Sequence, residues 1–476
     1  MNRSNFYAEW RLRCSPSALL REDRAAPPER LLQAIWMHQR LLREKLVTLD
    51  GRRVEVLHPG FWNREPGPDF RGAVLRIGAE LPRSGDVEID LQSSGWKGHG
   101  HDSNPAFQNV ALHVVWEGDG RSQRPTLVLK EFLDSPLNDL TLWLGRDGAE
   151  PPSLAGQCSA PLKELADAQL NELLNQAAFV RFQAKAKHLQ ARAREAGWEQ
   201  SLWEGLFRAL GYKHNVWPMQ RLAELRPLVI QHGGRDAVRL EARLLGIAGL
   251  LPADMTNVHR SAAAYLRQLW DYWWRERDDW FDHSLPKSMW RFAGLRPANM
   301  PQRRIALAAR WLANEKLLAG LDRWSTARPP ERELLPKLLK VWQANDDFWS
   351  WRWSWRTARL ASAQPLLGPA RLTDMAVNVI LPWIWSRAAE SANQDLQREI
   401  EQRFYRWPAG EDNVLLRLAR RRLLDNSAGR LPARAALQQG LLQIVRDFCE
   451  QSNALCQNCR FPELVKAWPG ENPGSS

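Results

Sequence analysis

Five cysteines among 476 residues are too few to hold a chain of this length together with disulfides, and a reducing cytoplasm suits them better. No apolar run approaches the roughly 18 residues that span a bilayer, so no membrane association of that kind is expected. The opening stretch MNRSNFYAEWRLRC has no apolar core of the sort a secretory signal needs. Acidic residues are also in deficit, 54 against 66 Lys and Arg, for a net charge of +12. What is present is a 44% hydrophobic share, enough for a substantial core, and a length that calls for two or three domains.

The charge is unevenly placed. Residues 1–160 carry 20 basic and 21 acidic side chains, whereas residues 161–476 carry 46 and 33. A positive field confined to the second part suits a polyanion, with nucleic acid (DNA or RNA) as the first candidate partner. Dispersed arginine on an ordinary soluble surface accounts for the same numbers equally well. Twenty-five tryptophans point chiefly to packing, because each ring buries a large area.

Periodicity divides the chain. Residues 29–46 place Leu32, Ile35, Trp36, Leu42 and Leu46 on one helical face. Short β-rich runs follow at 54–57, 73–77, 87–91, 110–116 and 126–129, with a short helix near Pro105 to Phe107. Residues 148–156, with Pro151 and Pro152, look like a linker. Beyond Leu162 the pattern is helical, with helices expected at 236–251, 302–318, 331–345 and 431–449. The expectation is an α+β protein: a sheet domain over residues 1–150 and a larger all-α domain over residues 151–476.

The densest polar pattern lies between residues 58 and 117. Residues two apart in a strand share a face, so Asp86, Glu88, Asp90 and Gln92 oppose Val87, Ile89 and Leu91. Acids aligned in this way repel one another unless water or a cation screens them, and a hard divalent cation is the functional answer. Asp69, in Gly67-Pro68-Asp69-Phe70, starts the preceding strand. Together these residues resemble the PD-(D/E)XK nuclease superfamily. That resemblance implies a restriction-endonuclease-like fold in which Asp69 and Glu88 hold Mg²⁺ or Mn²⁺, with Asp90 beside them. It also implies a basic residue two positions after Glu88, where this chain has Asp90. Lys97 is the nearest lysine that follows. In such a site Gln92 would orient water, and His99 or His101 would protonate the leaving group. A zinc-binding, histidine-based metallohydrolase is the competing reading of His99, His101 and Asp102, with His113 and His58 nearby. His113, within Ala-Leu-His-Val-Val, also suits a hydrogen-bonded core histidine.

The series GPDF, VEI, S-x-W, H-x-H, AF-x-NV and LHVVWE, continuing through Trp290-Arg291 and Leu295 to Asn299, resembles a bacterial family known only as a domain of unknown function. The resemblance extends to the C-terminal cysteines. The chain departs from that family's pattern at Asp90, where histidine is common, and at Gly95, where aspartate is common.

Cys449, Cys456 and Cys459 close the last expected helix, and Cys158 lies just past the linker. Four thiolates would hold zinc or a [4Fe–4S] cluster. Some nucleases of the superfamily arrange one upstream and three C-terminal cysteines in this way. Ordinary buried thiols are the alternative. For nucleic-acid binding, Arg181, Lys185 and Arg192 (with His188) share one helical face, and Arg296 and Arg303 flank Asn299, which is placed to cap a helix. The segment Phe348-Trp349-Ser350-Trp351-Arg352-Trp353-Ser354-Trp355-Arg356 suits either base stacking or aromatic core packing. Three function classes remain open: a nucleic-acid-processing or -binding protein such as a metal-dependent nuclease, a non-catalytic scaffold that keeps a nuclease-like fold, and a histidine-based metallohydrolase.

Overall fold

The computed structural model describes residues 5–14, 27–63, 67–98, 101–118 apart from 103, 124–140 apart from 138 and 139, 156–292 apart from 213, 295–425 apart from 413, 431–449 and 459–468. Helices α1 (Phe6–Cys14) and α2 (Glu29–Met37) precede six strands: β1 (Val54–His58), β2 (Phe61–Trp62), β3 (Phe70–Ile77), β4 (Arg83–Gln92), β5 (Val110–Glu117) and β6 (Thr126–Val128). The strand order is β1-β3-β4-β5-β6, with β2 paired to β3. β3 runs antiparallel to β1, β2 and β4, while β5 is parallel to β4 and β6 to β5. A parallel step requires a crossover. Here it is residues 93–109, built from a helical turn Gly95–Gly98 and a 3₁₀ turn Pro105–Phe107 that Asn104 caps through Oδ1. A largely helical region follows the sheet, so the chain is α+β.

Alternation along β4 sorts its side chains onto two faces. Val87 and Ile89 enter the main core of the sheet with Leu32, Ile35 and Trp36 of α2 and Leu112 and Val114 of β5. The Trp36 indole N–H donates to the Pro59 carbonyl at 2.9 Å and ties α2 to the turn after β1. α2 is shorter than the expected span 29–46. Gln39 adopts φ +47° and its Nε2 donates to the Trp36 carbonyl, which ends the helix, and Arg43–Lys45 form a separate 3₁₀ turn. The expected helix 302–318 is likewise split, into Pro301–Ala313 and Leu317–Thr326.

By compactness the chain divides into one unit of residues 1–191 with 404–476 and another of residues 192–403. That division concerns contacts; the ranges 1–150 and 151–476 stand as an expectation about folding domains. In the first unit a second core joins Tyr7 of α1, Leu170 and Leu174 of the helix Asp167–Ala196, Leu441 of the helix Ala435–Ile444, and Phe461. In the second unit Trp311, Trp342 and Trp349 are fully buried. The Trp349 indole donates to Glu241 at 2.6 Å, and Tyr265 and Arg310 reach the other Glu241 oxygen. Phe348 and Trp355 pack on Trp349, so much of the Trp/Arg segment is core.

Gly440 explains the close seating of two helices. A Cβ there would stand 2.2 Å from the Leu174 carbonyl oxygen, which is backbone and has little room to yield. Ala is the better helix former by about 1 kcal/mol, yet overpacking costs about 1–3 kcal/mol. Gly440→Ala is therefore expected to lower stability in chemical denaturation despite the propensity gain.

Candidate metal centre

The second face of β4 carries the acids, and all three are buried: Asp86 at 9% exposure, Glu88 at 8% and Asp90 at 2%. They do different things. Asp86 Oδ1 accepts the Gly72 N–H at 3.0 Å, where the β3–β4 register shifts, and thus serves the bulge. Glu88 and Asp90 turn toward the crossover. The pairing of β4 with β5 sets Glu88 opposite His113. The crossover turn then brings His101 over the same face, against Trp96 and stacked on Phe107 at 3.8 Å.

One donor atom each from Glu88, Asp90 and His101 lies within 4.8 Å of the others. His101 Nε2 stands 3.3 Å from Glu88 Oε1, and His113 Nε2 stands 2.9 Å from Asp90 Oδ2. Asp69, at the start of β3, adjoins the group rather than joining it. Its Oδ2 accepts the Ile89 N–H at 3.0 Å and its Oδ1 accepts Gln33 Nε2 at 2.8 Å, while its own N–H donates to Glu88 Oε2 at 3.0 Å. Burial, and then the charge of Glu29, pushes the Asp69 carboxyl up to about 7. Burial, and then the charge of Asp69, pushes the Glu88 carboxyl up to about 8. Buried carboxylates gathered together are held back from ionising, and a cation relieves that cost.

Other expected site residues fall elsewhere. Gln92 is exposed at the end of β4 and accepts from Ser94 Oγ at 3.4 Å. His99 and the Lys97 side chain lie outside the described residues. Positions 90 and 95, the two departures from the family pattern, abut: a Cβ on Gly95 would lie 2.8 Å from Asp90 Oδ1. His113 was legible as a neighbour of a histidine-based metal site or as a core histidine; its partnership with Asp90 follows from strand pairing that spacing alone does not reveal.

Arg303 as a nucleic-acid contact is corrected. It is 1% exposed, and its guanidinium donates to the carbonyls of Trp349, Arg352, Gln364 and Pro365. Asn299 does not cap the following helix; its Oδ1 accepts from Arg304 at 2.7 Å. Arg192 makes a two-point pair with Glu204, and Arg181 and Lys185 both donate to Gln439 Oε1. Arg296 is exposed. Cys158, 5% exposed, and Cys459 pack in one apolar cluster with Phe461 and Leu162. Cys456 and the Cys449 side chain lie outside the described residues. Among the described residues no helix is long and apolar enough to cross a membrane.

Fold and site together define an α+β protein with a buried carboxylate–histidine cluster on one face of a mixed sheet. The chain belongs to the family described as "Protein of unknown function (DUF2851)", which matches residues 29–413. The match spans the sheet and most of the helices and ends before the three C-terminal cysteines. No curated protein and no solved structure matches the chain.

The raised carboxyls make a signed prediction for the metal-free protein. The folded state keeps protons that the unfolded chain releases at its ordinary carboxylate values, so stability from this pair is full below about pH 4 and lost as pH rises through about 7–8. In EDTA, Glu88→Gln should therefore gain thermal stability relative to the wild type between pH 5 and pH 9. Melting curves that run parallel across that range would contradict the assignment.

Proposed function

We propose that the sheet part of this protein binds a divalent cation, Mg²⁺ or Mn²⁺, through Glu88, Asp90 and His101 and hydrolyses phosphodiester bonds of nucleic acid. The observation that carries the reading is the convergence of three buried donor atoms within 4.8 Å. Two hard carboxylate oxygens with one imidazole nitrogen favour Mn²⁺ over Mg²⁺, which seldom takes nitrogen ligands. Bound there, the cation supplies Lewis acidity to a water molecule and to the phosphate. Asp69 adds a third acidic group at the edge of the cluster, fixed by Ile89 and Gln33. The topology supports the nuclease likeness: a helix, antiparallel β1, β3 and β4, then a parallel β5, with Asp69 leading into β3 and Glu88 on β4. Asp90 occupies the position where the superfamily carries a lysine, and in this reading it serves as a ligand instead. Among the helical residues the exposed Arg296 is one proposed contact to the polyanion, and Arg181 and Lys185 are a separate one.

The test is purified protein with Mg²⁺ or Mn²⁺ and labelled single- and double-stranded DNA and RNA. Cleavage is expected, stronger with Mn²⁺, with a loss of at least about 100-fold in Glu88→Ala. Cleavage that survives Glu88→Ala refutes the site. Binding without cleavage favours the non-catalytic scaffold.

A second proposal rests on one apolar cluster that contains the buried Cys158 and has the half-buried Cys459 packed against it, residues 301 positions apart in the chain. They are proposed as two ligands of a structural zinc or [4Fe–4S] cluster, with Cys449 and Cys456 as the remaining thiolates. One equivalent of zinc, or a brown protein absorbing near ~400 nm, is expected after anaerobic purification. Metal content unchanged in Cys158→Ser refutes it.

A further inference from the structure

Asp90 is an unusual ligand to find on the inner face of a strand. Its side chain is 3% exposed, it stands beside Glu88 on the same face, and Asp90 and Glu88 both face the approach of His101. A carboxylate held that deep needs a donor. His113, one strand over on β5, supplies it through Nε2 at 2.9 Å from Asp90 Oδ2. The histidine is itself 1% exposed, and the Trp96 ring lies 5.3 Å away at 62°. His113 Nδ1 is buried and has no hydrogen-bond partner among the described residues. An ionised carboxylate can only accept, so the contact calls for a proton on His113 Nε2. On the other side of the carboxylate a side chain at position 95 would crowd it, because a Cβ there would stand 2.8 Å from Oδ1.

We infer that His113 is a positioning residue for the cation: it holds Asp90 by one oxygen so that the carboxylate keeps the rotamer in which it joins Glu88 and His101. The inference rests on the metal reading given above and goes beyond it, because His113 is not one of the three converging ligands. Its role mirrors the outer partner that orients a metal-bound side chain, whose loss commonly costs ten- to a hundredfold in metal affinity. Glycine at position 95 completes the cradle by leaving room beside the oxygen that His113 does not hold.

Titration of the full-length protein with Mn²⁺, followed by electron paramagnetic resonance at one fixed pH, tests the inference. His113→Leu is expected to weaken Mn²⁺ binding by about 10–100-fold, and His113→Gln, whose amide N–H reaches a similar point, to restore most of it. A histidine that only fills the core would change stability in both variants and leave Mn²⁺ affinity unchanged in the folded fraction. Selective ¹⁵N-histidine labelling of the wild type gives a readout that needs no variant. His113 should carry a proton on Nε2, and should stay uncoordinated when Mg²⁺ is added. An Nε2 without a proton, or direct coordination by His113, overturns the inference. Wild-type protein that binds no Mn²⁺ overturns the metal reading and this inference with it. Wild-type binding that His113→Leu retains in full overturns this inference alone.

Discussion

Glu88 and Asp90 sit two residues apart on a face of β4 that is closed to water, and most of the sheet's local architecture follows from having to accommodate them. The parallel pairing with β5 brings His113 beneath Asp90. The crossover between the two strands then folds back as the Gly95–Gly98 turn and carries His101 over Glu88. Trp96 and Phe107 seal the top. Each step supplies a donor or an apolar cover to carboxylates that would otherwise be expelled or neutralised.

This arrangement separates the roles that aligned acids on a strand seem to share. Asp86 belongs to the β-bulge, Glu88 and Asp90 to the converging cluster, and Asp69 to the backbone of β4. Two faces of one strand thus serve two cores. Val87 and Ile89 anchor the sheet to α2, and the polar face gathers groups with the chemistry to hold an ion. A buried polar network of this kind is stable only when its members are satisfied, and the histidines are placed to do so.

Period-two alternation made the β4 faces legible from the amino-acid order, and Asp69 could be placed at the start of a strand by its Gly-Pro neighbours. His101 was one of two equivalent candidates in H-x-H, because a loop's direction is not written in spacing. The pairing of His113 with Asp90 depends on strand register across 23 residues, which local pattern does not encode. In the helical part, composition misleads for a physical reason. Arginine reads as surface charge, yet Arg243, Arg303, Arg403 and Arg422 are among the largest fully buried side chains. Arg303 and Arg403 spend their donors on backbone carbonyls where loops and helix ends leave acceptors unpaired. Part of the positive excess is therefore internal scaffolding, which reduces its weight as a footprint for nucleic acid.

The central claim is that Glu88, Asp90 and His101 are ligands of one ion. Crystals soaked in Mn²⁺ and measured at the manganese absorption edge test it most directly. The account predicts a single anomalous peak on the polar face of β4, about 2.0–2.3 Å from an oxygen of Glu88, an oxygen of Asp90 and a nitrogen of His101. Crystals that take up manganese elsewhere and leave that face without a peak would contradict it.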